Sequence, residues 1–125
     1  MSIYREKLLD HYNSPRNFGP MVVADAEVTL ANLSCGDTIT IFVKEKQGKL
    51  TDISFQGEGC AVAIACASML TEIASGMSLV DAEKLDLDTF LESIGLEFTI
   101  SRLKCAGLGL EALKECTRKI VAKNK

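Results

Sequence analysis

Five cysteines and one aspartate carry the chemistry available to this 125-residue chain. The cysteines stand at 35, 60, 66, 105 and 116, and Asp37 lies two residues after the first. Thiolates bind soft and borderline metals and attack sulfur. No C-x-x-C pair is present, so a zinc finger or ribbon is poorly supported. A metal site here has to be assembled from distant elements. An odd number of cysteines also argues against a disulfide framework.

The cysteines are not equivalent. Cys35-Gly36-Asp37 enters a strand, where residues two apart point the same way, so thiol and carboxylate can converge. The same tripeptide also reads as an ordinary turn. Cys60 follows Gly57-Glu58-Gly59 and opens a long apolar helix. Unpaired N–H groups and the positive end of the dipole at such a position favour thiolate. A small buried hydrophobe is the plainer alternative. Cys105 follows Arg102 and Lys104 near another helix start, where cations would stabilise its thiolate; a core position is equally open. Cys66 is six residues beyond Cys60, about 9 Å along the axis and about 240° around it, so the two cannot easily share one ion. Cys66 and Cys116 therefore read as core residues. His11, the only histidine, reads as a packing or capping residue beside a helix end.

The elements that must position these groups follow from periodicity. Residues 3–12 predict a short helix with Ile3, Tyr4, Leu8, Leu9 and Tyr12 along one apolar side; it stops before Asn13-Ser14-Pro15. Strands are expected over Ala26–Leu33, Thr38–Lys44 and Leu50–Phe55. In the second, Ile39, Ile41 and Val43 share one face while Thr38, Thr40 and Lys44 face water. Lys46-Gln47-Gly48 is a hairpin turn. From Cys60 onward the chain is helical, with a stop at Ser75-Gly76 and caps at Ser78 and at Asp86 or Asp88. The last helix carries Leu103, Ala106, Leu110, Leu113, Thr117, Ile120 and Val121 at three-to-four spacing. Strands followed by helices predict an α+β fold. It is a small three-stranded antiparallel sheet with helices packed on one face, in one domain over residues 1–125.

Composition narrows the class. Net charge is −3, with the basic stretch 114–125 reading as a solvated helix end, so no nucleic-acid surface is expected. No run of 18 apolar residues predicts a membrane span. The N-terminal residues, Met1 to Glu6, carry no apolar leader, which makes the cytoplasm the expected location.

Together these pieces resemble a known family. C-G-D at 35–37, G-E-G-C at 57–60 followed by A-x-A-S-M, R-x-K-C at 102–105, and Leu9-Asp10-His11-Tyr12-Asn13-Ser14-Pro15-Arg16-Asn17-Phe18-Gly19 are similar to the U-type iron–sulfur cluster scaffolds. That family includes IscU, SufU and the NifU N-terminal domain. The resemblance implies that Cys35, Asp37, Cys60 and Cys105 cluster at one accessible end and bind iron, zinc or a transient [2Fe–2S] cluster. It implies a cysteine desulfurase that delivers persulfide sulfur, with Cys105 as the primary acceptor, and apo-proteins that receive the cluster. The oligomeric state does not follow from it.

Four departures qualify the likeness. Lys104 stands where IscU proteins usually have histidine, and a protonated lysine cannot bind a metal, which leaves Asp37 as fourth ligand. Arg102 and Lys104 are SufU-like, yet the inserted segment usual in SufU before the final helix is missing. Thr99-Ile100-Ser101-Arg102-Leu103-Lys104 lacks the Pro-Pro motif read by Hsp70-type chaperones, and Cys66 replaces a usual serine. The scaffold reading stands first. A zinc-dependent sulfurtransferase partner of a desulfurase, with Arg102 and Lys104 assisting transfer, stands second, and a purely structural zinc module third.

Overall fold

The computed structural model describes residues 3–124. The side chains of Ile3 and Tyr4, Met1-Ser2 of the expected leaderless start, and Lys125 at the end of the basic stretch lie outside the described residues. The elements are α1 (Ile3–Asn13), β1 (Ala26–Asn32), β2 (Asp37–Lys46), β3 (Lys49–Glu58), α2 (Ala61–Ala74), α3 (Leu79–Lys84), α4 (Leu87–Ile94) and α5 (Ile100–Lys123). The strands form one antiparallel sheet in the order β1-β2-β3, as the short connections require. Gln47 and Gly48 both have positive φ, as a tight two-residue hairpin demands.

One sheet face carries the core. Ile39, Ile41 and Val43 of β2, with Leu50 and Phe55 of β3, are completely buried beneath α2 and α5. Helix α2 is apolar all round and buried from Val62 to Thr71, the signature of a central helix. It meets α5 closely because Gly109 has no side chain; a Cβ there would lie 3.3 Å from the Ala67 Cβ. Ser78 and Asp86 cap α3 and α4 by accepting the Asp81 and Thr89 backbone N–H groups. Gly95 ends α4 in the left-handed conformation.

Four details differ from the sequence reading. Strand β3 continues to Glu58, because Gly57 and Glu58 still pair with Ile39 and Thr38; only Gly59 remains to make the turn. Thr40 and Phe42 point to the open sheet face yet are buried. They lie on the central strand, with Glu27 and Thr29 beside them on β1 and Ser54 and Gln56 on β3. Val121 is exposed, so the packed side of α5 ends at Ile120. On α1, Leu9 and Tyr12 are also exposed, while Leu8 and His11 turn inward.

His11 holds the N-terminal segment to α2. Its Nδ1 lies 2.7 Å from Ser68 Oγ, which also accepts the Arg16 backbone N–H at 2.8 Å. Asp10 and Arg16 form an ion pair across the turn, and Asn17 donates its amide to Thr71 Oγ1. The string from Leu9 to Gly19 is thus an anchor: Phe18 bridges to the free edge of β3 and sets its ring edge-on to Phe55.

Burial, aided by the charge of Arg16, holds the His11 pKa below its usual 6.5, against the opposing pull of Glu72 and Asp10. The unfolded chain therefore takes up this proton first as the medium is acidified. The His11 contribution is complete above about pH 6.5 and is lost as pH falls towards the lower folded pKa. Urea unfolding at pH 7.5 and 5.5 should show a larger loss of stability in the wild type than in His11→Gln. Equal losses in the two proteins would reject this account.

Candidate metal centre

The β1–β2 connection, the β3–α2 junction and the first two turns of α5 meet at one end of the sheet. Asn32 and Asp37 pair across the mouth of the β1–β2 loop, with Gly36 in a left-handed conformation beside Cys35. Asp37 opens β2, and its carboxylate is almost completely buried, at 1% exposure. Its Oδ1 accepts the Cys60 backbone N–H at 2.8 Å, and its Oδ2 lies 3.7 Å from Cys60 Sγ.

Gly59 makes this approach possible. Its φ of +152° is rarely adopted by other residues, and a Cβ would fall 2.3 Å from Asp37 Oδ1. Gly57 is needed for a different reason: a Cβ there would press on the Thr38 carbonyl and Ile39 of the paired strand. Cys60 then caps α2, where the sequence put a helix start, with its thiol partly exposed.

Cys105 arrives from the opposite side. Its Sγ is 3.4 Å from Cys35 Sγ and 3.7 Å from the Asn32 amide nitrogen. Donor atoms of Cys35, Asp37 and Cys105 all lie within 4.8 Å of one another. A tetrahedral ion with bonds of about 2.3 Å to sulfur needs neighbouring sulfurs roughly 3.7 Å apart. The donor set therefore fits a thiophilic ion in chemistry and in spacing. Cys60 stands outside this group of three but touches it through Asp37.

The environment of Cys105 corrects the sequence expectation. It is the sixth residue of α5, past the unpaired N–H groups of the first turn. Arg102 and Lys104 are exposed, and no hydrogen bond or ion pair joins either to a site thiol among the described residues. Cys105 itself is fully buried. Burial first, then the contacts with Asp37, Cys35 and Cys60, push its thiol well above the usual range. The neighbours in sequence that were expected to lower it are turned away by the helix.

The remaining cysteines serve the core. Cys66 and Cys116 are buried, and burial pushes each thiol up to about 12. Cys116 directs its S–H to the Ile41 carbonyl at 3.5 Å. Asn32 was missed by the sequence reading; nothing in its local pattern marks it, because its partner is 73 residues away.

Comparison with known proteins adds a family and relatives. The profile described as "NifU-like N terminal domain" matches residues 3–125. The chain is 38% identical over 122 residues to the "Iron-sulfur cluster assembly scaffold protein IscU 1" of Archaeoglobus fulgidus, covering 98% of this chain and 79% of that protein. It is 37% identical over 112 residues to the Aquifex aeolicus protein of the IscU name, covering 88% and 71%. A NifU-like N-terminal protein from Brucella abortus shares the fold with a TM-score of 0.79 at 20% identity, over 97% of this chain and 96% of that one. No helix among the described residues is long and apolar enough to cross a membrane.

Proposed function

The chain belongs to the NifU-like N-terminal domain family, and from that premise we propose that it is a scaffold on which iron–sulfur clusters are assembled and from which they are passed on. The observation that carries this reading is the mixed donor set at one end of the sheet: Cys35, Asp37, Cys60 and Cys105, drawn from three separate elements. In this reading residues 1–125 act as one scaffold domain. A cysteine desulfurase supplies sulfur as persulfide, Fe(II) is captured by the thiolates and Asp37, electrons come from elsewhere, and the [2Fe–2S] product moves to apo-proteins. A carboxylate is a harder ligand than thiolate and holds iron less firmly, which suits a site that must release its cargo.

The four donors have different tasks. Cys35, on the exposed loop, is the most exposed of the site thiols. Cys105 is the persulfide acceptor by its position in the family, and it lies directly behind Cys35. Delivery to it requires that Cys35 move aside or take the sulfur first. Arg102 and Lys104, exposed on the same end of α5, are solvated cations suited to an anionic partner surface.

The compact Cys35–Asp37–Cys105 group also favours a second reading. Its spacing suits a single zinc ion, so the protein can act as a zinc-dependent sulfurtransferase partner of the desulfurase.

Anaerobic incubation with a cysteine desulfurase, cysteine and Fe(II) tests the proposal. The wild type should develop a [2Fe–2S] chromophore that transfers to an apo-ferredoxin, and the Cys35→Ala/Cys60→Ala/Cys105→Ala protein should not. Equal cluster loading in both would reject the scaffold reading. A colourless zinc protein that speeds desulfurase turnover would move the assignment to the second reading.

A further inference from the structure

The donor atoms described above do not account for every polar group that reaches the site. The Asn32 side chain points its amide nitrogen at Cys105 Sγ, 3.7 Å away. It is half-buried, at the last position of β1 and opposite Asp37 in the register. Its backbone carbonyl independently accepts the Cys35 N–H at 3.2 Å. One residue therefore contacts both the loop that carries Cys35 and the sulfur that comes from α5. Among the described residues it provides the one amide N–H directed at a site sulfur. The cations nearest in sequence, Arg102 and Lys104, do not take that place.

We propose that Asn32 is a positioning residue that donates an N–H···S hydrogen bond to Cys105 and tunes the bond between that sulfur and a thiophilic metal. The inference rests on the reading of Cys105 as a ligand. A donor of this kind fixes the orientation of the ligand and draws charge from the sulfur lone pairs. It weakens electron donation to the metal and raises the energy of sulfur-to-metal charge transfer. In iron–sulfur proteins the same contact is one of the factors that set the reduction potential. Asn is suited to the task because it carries no charge. It does not add a further anionic ligand, as a carboxylate would, nor repel the cation, as a lysine would.

The side chain can be altered without removing the loop contact, since that contact uses the backbone carbonyl. Asn32→Leu removes the donor at similar volume, and Asn32→Asp keeps the shape while replacing the donor by an acceptor. The test is anaerobic titration of the full chain with Co(II) alone, read by the sulfur-to-Co(II) charge-transfer band, with circular dichroism as the check on folding. Both variants should show the band at longer wavelength than the wild type. Asn32→Leu should also lose about 10- to 100-fold in Co(II) affinity. In a Cys105→Ser background the same Asn32→Leu change should leave the band in place, because the sulfur that it acts through is gone.

Bands at the wild-type wavelength in both single variants would overturn the proposal. So would an equal displacement with and without the Cys105 sulfur, which would mark a structural effect on the loop. If the wild type itself shows no thiolate charge-transfer band with Co(II), the ligand reading fails and the Asn32 proposal fails with it. Those two failures are separated by the wild-type spectrum alone.

Discussion

Gly59→Ala should destabilise the protein by about 3 kcal/mol or more and abolish metal binding. Two independent effects act at this position. The backbone is held at φ +152°, and the new methyl would lie 2.3 Å from Asp37 Oδ1 and 3.0 Å from the Asp37 Cα. The carboxylate could rotate away, but the Cα belongs to β2 and cannot move without disturbing its pairing with Asn32 of β1. Rotation of the carboxylate would also give up the Cys60 N–H bond. The backbone strain alone is worth about 1–3 kcal/mol, and the displaced buried carboxylate adds to it. Thermal unfolding should show a drop on the order of 10 °C, and a zinc or Co(II) titration should show no tight site. Wild-type stability together with wild-type affinity would mean that the turn can rearrange, and the steric argument would be wrong.

Asp37 separates binding from architecture. Asp37→Ala should lower both stability and metal affinity; Asp37→Asn should lower affinity while largely sparing stability. In the alanine variant the Cys60 N–H loses its acceptor at the start of α2, a loss of about 1–3 kcal/mol for a buried donor left unpaired. Asparagine keeps an oxygen at the same place and can accept that bond, but it has no negative charge for a cation. Metal affinity should fall about tenfold or more in both variants. The pair of measurements is an equilibrium urea titration and a competition titration with a zinc chelator. If Asp37→Asn binds zinc as tightly as the wild type, the aspartate is a structural cap and not a ligand.

Much of this architecture follows from local pattern. Alternation at Ile39, Ile41 and Val43 places one face of β2 in the core. Ser78, Asp86 and Gly95 mark helix boundaries by their own hydrogen bonding and backbone freedom. These features act over three or four residues, so a single sequence carries them. The order of motifs around Cys35, Cys60 and Cys105 also pointed to the family, because that combination is rare even though each piece is common.

What the chain alone could not show depends on contacts between distant segments. The chemistry of Cys105 depends on burial and on Asp37 and Cys35, not on Arg102 and Lys104 a few residues earlier, because helical geometry turns those side chains to solvent. The end of β3 was set by pairing with β2, which extends regular structure through Gly57 and Glu58 where local propensity predicts a turn. His11 met Ser68 across 57 residues, and Asn32 met Cys105 across 73. Residue types and spacing determined which groups could do chemistry and which helices and strands would carry them. Tertiary packing decided which groups lie within 4 Å of one another, which are shielded from water, and therefore how each thiol behaves. Proximity and desolvation arise only after the sheet and helices have closed on each other.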